Sequence, residues 1–278
     1  MVWKRHTTLL MVFLFSVAID CFPQTNCNVS SKLFTSGEHI QYQLFYNIGF
    51  IWINAGSCDF MVKESDWNGK HVYKLSAIGI SNKSFESFFS VKDSFISYVD
   101  SSAITPYRSF KFTHEGNWHG VDDFTFCEEK SGWNITTRLK RNGKWKEPVE
   151  SFTANCGFDI LTSIYRLRCM IDSELKLTGR PVTIPLRLDD NEYKVYLTYL
   201  GKQNIKLHGN GTYPAQAFKL TLVEGTVFGR GDVLKLWVSD DKNRIPLLIE
   251  SPIKVGKIKA VFRSAEKTLY PKVKPLSE

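Results

Sequence analysis

Apolar and polar residues alternate along most of this chain. Tyr193, Val195, Leu197 and Tyr199 interleave with Glu192, Lys194, Tyr196 and Thr198; Phe218, Leu220 and Leu222 interleave with Lys219 and Thr221; Leu234, Leu236 and Val238 interleave with Lys235 and Ser239. A period of two is what a strand with one buried face requires. Similar runs lie near 38–48, 51–63, 70–80, 88–99, 105–113, 121–128, 133–140, 181–188 and 245–262, separated by the turn formers Asn68-Gly69, Glu115-Gly116, Ser131-Gly132, Asn142-Gly143 and Asn210-Gly211. Many strands on short turns predict an all-β protein, a curved antiparallel meander forming a barrel or half-barrel.

One segment breaks the period. Between Phe158 and Ile171, Ile160, Ile164, Leu167 and Ile171 recur at helical spacing, widened by Leu161 and Tyr165. One helix near 158–171, between two blocks of strands, would cover the open side of a curved sheet. No Pro-, Gly- or Ser-rich linker divides the chain. The expected organisation is therefore one β-rich domain over 28–270, with halves of about 34–150 and 181–265 joined by the helix, then a tail over 271–278.

A faint internal repeat supports two similar halves. Phe95 to Asp100 is a strand ending in an acid, and Pro106 opens the return strand six residues on. Leu236 to Asp240 has the same form, with Pro246 again six residues after the acid. Proline suits the first position of a strand, where its missing N–H is tolerated.

The start of the chain bears on compartment. Lys4, Arg5 and His6 precede an apolar run from Thr8 to Ile19, a pattern too short to span a bilayer comfortably and suited to a secretory signal peptide over 1–24. Cleavage is expected between about Asp20 and Gln24. A lipoprotein anchored through Cys21 is the less favoured form, because Asp20 stands where a small residue normally precedes a lipidated cysteine. The chain is then expected in a periplasm or outer envelope, with no transmembrane span after cleavage.

Composition narrows the functional classes. The 278 residues are 43% hydrophobic and 14% aromatic, too apolar for a disordered protein. The net charge of +8 is spread along the chain, its densest part being the tail from Lys254 to Lys274, and no aromatic-and-basic motif for nucleic acid appears. After the leader come Cys27, Cys58, Cys127, Cys156 and Cys169, with no CxxC pair. Cys156 and Cys169 flank the helix, roughly 20 Å apart, beyond the ~7 Å limit for a disulfide. Cys58 and Cys127 could pair if their strands are neighbours; otherwise buried free thiols are expected.

Catalytic and cofactor motifs are missing. There is no G-x-S-x-G elbow and no phosphate-cradling loop, and Gly225 to Gly231 reads as a hairpin. His114 and His119 with Asp122 and Asp123 are metal-like in residue type but read as solvated turn residues. The acid pairs Asp122-Asp123, Glu128-Glu129, Asp189-Asp190 and Asp240-Asp241 point to opposite faces wherever they lie in strands, and most read as turn residues. Asp159, Arg166 and Arg168 on the helix read as helix-end charge and surface ion pairs. The sequons at Asn28, Asn82, Asn134 and Asn210 matter only in a eukaryotic host.

Residues 34–56 (FTSGEHIQYQLFYNIGFIWINAG), 158–168 (FDILTSIYRLR) and 236–246 (LWVSDDKNRIP) together resemble a family of exported bacterial proteins, the domain of unknown function number 3108. The resemblance implies an exported, all-β protein and assigns no activity. The strand, acidic turn and proline hairpin is also similar in architecture to periplasmic lipoprotein carriers, whose curved sheet wraps an acyl chain; fold alone does not imply function.

The leading expectation is a non-catalytic envelope protein, with no cofactor or metal, that binds a lipid or other hydrophobic ligand in a β half-barrel. Trp52, Phe88, Tyr165, Arg168 and Trp237 are its candidate ligand-binding residues. The second is an envelope adaptor acting through a protein partner. The third is a glycan- or peptide-acting enzyme using Asp159, Arg168 or the His114/His119 region.

Overall fold

The computed structural model describes residues 27, 29, 32–48, 51–170, 181–222, 233–252 and 256–276. The expected leader, Phe50, Ile171 and the glycine-rich segment 225–231 lie outside the described residues. The described chain forms one antiparallel sheet of 15 strands. In its first half come β1 (His39–Ile48), β2 (Ile51–Trp67), β3 (Lys70–Ser81), the short helix α1 (Lys83–Glu86), β4 (Lys92–Asp100), β5 (Pro106–Glu115), β6 (Trp118–Glu129), β7 (Gly132–Arg141), β8 (Lys144–Trp145) and β9 (Val149–Thr153). The helix α2 (Ile160–Met170) follows. Then come β10 (Val182–Leu188), β11 (Asn191–Leu207), β12 (Gly211–Leu222), β13 (Val233–Ser239), β14 (Pro246–Pro252) and β15 (Lys257–Glu266).

Strands follow one another in space as in sequence, except that β15 pairs with β1 and that β9, like β8, pairs with β7. The two runs of strands are thus laid side by side, β10 to β15 and then β1 onward, with α2 connecting their far ends. Strand lengths echo between them: β2 and β11 have 17 residues each, β3 and β12 have 12 each. The sheet is curved but not closed. Across its seam, Arg141 at the end of β7 donates to Asp189 in the β10–β11 turn at 2.9 Å.

Turn chemistry sets the register. Asn68 and Gly69 both have positive φ, 52° and 76°, as a two-residue hairpin between right-twisted strands requires. The β4–β5 and β13–β14 hairpins are alike, the second being one residue longer between its paired residues. Val99 pairs Pro106 and Val238 pairs Pro246, each next to a register shift. Ile104 and Arg244, two residues before the prolines, both take left-handed backbone, φ 53° and 49°. Asp100 Oδ1 accepts from the N–H of Ser102 and Ala103 at 2.8 Å, and Asp241 Oδ1 accepts from Asn243 and Arg244 at 2.9 and 3.1 Å. The second capping acid is therefore Asp241; Asp240 instead accepts from Gln216 and pairs with Lys202, both at 2.7 Å.

Helix α2 packs inside the curve. Leu161, Tyr165 and Cys169 join a core with Phe34, Val62, Leu75 and Val99 of the first half, while Leu167 joins Leu197, Phe218, Leu236 and Val238 of the second. The charges on this helix are buried, which corrects the surface reading. Asp159 caps its start, accepting from the N–H of Leu161 and Thr162 at 3.0 Å and from the Ser97 hydroxyl at 2.6 Å. Arg168 makes a bidentate pair with Glu38 at 2.6 and 3.0 Å and donates to the carbonyls of Leu33 and Asn243. Both members of that pair are almost wholly inaccessible, so each needs the other.

The cysteine reading needs correction. Cys27 and Cys156 form a disulfide, tying the chain before β1 to the segment before α2. Cys58 and Cys127 lie on β2 and β6, which are not neighbours, and both are free, as is Cys169.

Candidate functional site

Between the inner face of β1–β4 and helix α2 lies a cavity of about 620 Å³. It exists because the strand positions beneath it carry little side chain. Ala77, Gly79 and Ser81 alternate inward from β3, Ala55 lies on β2, and a Cβ built on Gly79 would meet nothing within 4 Å. The walls are apolar: Leu44 and Phe45 of β1, Ile53 and Phe60 of β2, Phe95 of β4, and Ile160, Leu161 and Ile164 of α2. Phe85 of α1, with Phe88 and Phe89 after it, forms one lip, where Phe85 meets Tyr46 edge to face at 5.9 Å between centroids. A concave site of this size falls within the usual ~300–1,000 Å³ range of small-ligand pockets.

Few polar groups line it. The Ser81 hydroxyl is engaged with the Val91 backbone at 3.0 and 3.2 Å. Burial pushes the Cys58 thiol up to about 12, so it stays protonated and poorly nucleophilic at neutral pH. Asp93 and Glu115 sit together at one end. Burial raises both carboxyls, and each is hydrogen-bonded to the other, while the His114 N–H and Lys111 act oppositely on Asp93. Asp93 Oδ1 accepts that N–H at 2.9 Å. The cavity is an apolar slot with a carboxyl pair at one edge.

Of the five residues singled out from sequence, Phe88 lines this cavity. Trp52 lies beyond it on β2, part-exposed, with the Lys259 ammonium 4.3 Å from its ring centre. Tyr165 and Arg168 stand behind the wall made by Phe60 and Ile164, around a separate void of about 20 Å³. Trp237 is half-buried on β13, packed against the core of the second half. Among the lining residues that were not singled out are the small ones, Ala55, Ala77 and Gly79. Their signal is subtle: small residues at alternate positions of an otherwise bulky strand.

The other candidate chemistry is absorbed by the scaffold. Asp122 and Asp123 are buried strand residues of β6, not turn residues. Asp122 pairs with Arg141 on one side, with Lys111 at 4.0 Å. Asp123 takes Arg108 at 2.8 and 2.9 Å on the other. His114 and His119 face each other across the β5–β6 hairpin, 3.9 Å between ring centres. No group of three potential metal ligands comes together among the described residues. Asp159 and Arg168 spend their hydrogen bonds holding α2.

The model of a family of proteins of unknown function (DUF3108) matches residues 41–263, and the chain belongs to that family. No protein of curated function matches it. Among solved structures, it is similar to the β-barrel-like protein of domain of unknown function DUF1849 from Brucella abortus. The TM-score is 0.58 at 8% identity, over 84% of this chain and 99% of that one. That likeness is one of fold.

Proposed function

We propose that this protein is an exported, non-catalytic envelope protein that binds a lipid-like hydrophobic ligand in the cavity between β1–β4 and α2. The observation that carries the reading is the cavity itself. A close-packed interior leaves few voids larger than a water molecule, yet here about 620 Å³ is walled by apolar side chains over a floor of alanine and glycine. A barrel-like sheet held open by a pinned helix is the build such a site needs.

Export is supported by the basic and apolar start of the chain and by the Cys27–Cys156 disulfide, since structural disulfides persist in oxidising compartments. A non-catalytic role is supported by the engagement of Asp159, Arg168 and the β6 aspartates in structural bonds.

Native mass spectrometry of the protein purified from an exporting host, followed by solvent extraction, tests this reading. A co-purifying lipid-sized mass released by the solvent is expected. A bare polypeptide mass, with no uptake of added fatty acid or monoglyceride, would overturn it.

A further inference from the structure

We infer that the mouth of the cavity is a docking surface for an anionic lipid bilayer. The inference extends the ligand-binding reading above but stands on different residues. Side chains that a water-soluble surface would hide are exposed around this opening: Phe88 (79%), Ile51 (66%), Phe89 (47%), Ile80 (40%), Trp52 (39%) and Ile258 (38%).

They gather at one end of the sheet, with Trp52 on the strand face away from cavity-lining Ile53. Phe88, Phe89, Ile80 and Ile258 line the cavity. Ile258 pairs with Tyr46, and Tyr46 pairs with Ile53, next to Trp52 and Ile51. An exposed apolar patch continuous with an apolar cavity marks an interaction site.

Charge selects the occupant. Lys83 on α1, Lys92 at the start of β4 and Lys257 at the start of β15 surround the rim and are exposed. Lys259 lies over the Trp52 ring and pairs with Glu250 at 2.7 Å. Glu86 is the exposed acid on α1, while the Asp93 and Glu115 carboxyls lie inside the opening. Aromatic and aliphatic tips encircled by lysines match the boundary between acyl chains and anionic headgroups, where long lysine stems carry their charge outward. A cavity opening on that boundary lets an acyl chain pass between bilayer and protein without crossing water.

The test is co-sedimentation of the full, purified protein with vesicles of phosphatidylcholine, plain or containing a quarter phosphatidylglycerol. Uptake of a fluorescent fatty acid is measured separately without vesicles. Binding to the anionic vesicles alone, weakening with salt, is expected. Ile51 and Trp52 lie outside the cavity lining, so Ile51→Ser with Trp52→Ser is expected to lose vesicle binding by about tenfold or more while fatty-acid uptake is kept. Lys83→Glu with Lys92→Glu and Lys257→Glu is expected to weaken anionic binding by at least about fivefold per lysine. Equal binding to both vesicle types, or a double rim variant binding like wild type, would overturn the inference. So would a rim variant that changes only the oligomeric state, which would assign the rim to a second copy of the chain. Vesicle docking without fatty-acid uptake would leave this inference standing and remove the ligand-binding reading.

Discussion

The carbonyl oxygens of Ala103 and Asn243 are both held by arginines of one helix. Arg166 donates to Ala103 at 2.8 Å, and Arg168 donates to Asn243 at 3.1 and 3.2 Å. The two carbonyls occupy matching places in the β4–β5 and β13–β14 hairpins, one residue before left-handed Ile104 and Arg244 respectively. Two arginines two residues apart thus clamp the same turn in each half of the sheet. The helix is fixed across the interior by polar bonds at these points, which lets part of its apolar face stand over a cavity.

Breaking the Glu38–Arg168 pair should loosen this clamp. Arg168→Met leaves the Glu38 carboxylate buried without its cation, at an expected cost of about 3–5 kcal/mol by chemical denaturation. Glu38→Leu together with Arg168→Met should recover a large part of that loss. Additive costs in the double variant would contradict the pairing.

Asp159→Ala should destabilise the protein by about 1–3 kcal/mol. It removes the α2 cap and leaves the buried Ser97 and Thr162 hydroxyls without their acceptor. Near-wild-type thermal stability would show that the cap is dispensable.

The disulfide closes a span of 129 residues. Chain-entropy reasoning for so long a loop puts its contribution at about 4–5 kcal/mol, with about 2–4 typical of measured cases. Cys27→Ser should therefore lower the denaturation midpoint markedly, and reductant should do the same to wild type while leaving Cys27→Ser unchanged.

Asp93 and Glu115 give a pH dependence whose sign is fixed. Burial raises both carboxyls in the folded protein, so the folded state binds more protons than the unfolded one between the ordinary value and the raised one. Their contribution to stability is fullest below the ordinary carboxyl value of about 4 and is lost as pH rises through the raised value. Glu115→Gln should therefore gain stability relative to wild type as pH rises above the ordinary carboxyl value of about 4. Melting curves that stay parallel above that value would contradict this.

The strands were legible because one face of each is buried: β3, β6, β7 and β13 coincide closely with their alternating runs, whereas β12 begins seven residues before the run at Phe218. The run at 245–262 resolves into β14 and β15 with the chain reversing between them, since apolar content alone does not reveal a turn. In the run at 88–99 the strand begins at Lys92, and Phe88 and Phe89 instead form the cavity lip, a role that hydrophobicity cannot distinguish from core. Strand β11 runs on to Leu207 past Tyr199, where Leu200 drops out of register and the alternation resets. The Cys27–Cys156 bond was hidden because it joins segments far apart in sequence and near only once the sheet has curved. Arg168 and Asp159 were visible as charges beside an apolar stripe, but their partners Glu38 and Ser97 come from the first half of the chain. The cavity was least legible, because it is defined by what Ala55, Ala77 and Gly79 lack.

That absence supplies the most direct test. Gly79 has ordinary strand backbone and open space where a Cβ would point, so Gly79→Phe should fill the cavity while keeping or raising the melting temperature. Titration with a fluorescent fatty acid is the measurement to make on wild type and this variant together. Saturable uptake by wild type, weakened about tenfold or more in Gly79→Phe at unchanged stability, is the predicted result. Equal uptake by both proteins, or none by wild type, would contradict the cavity as the binding site.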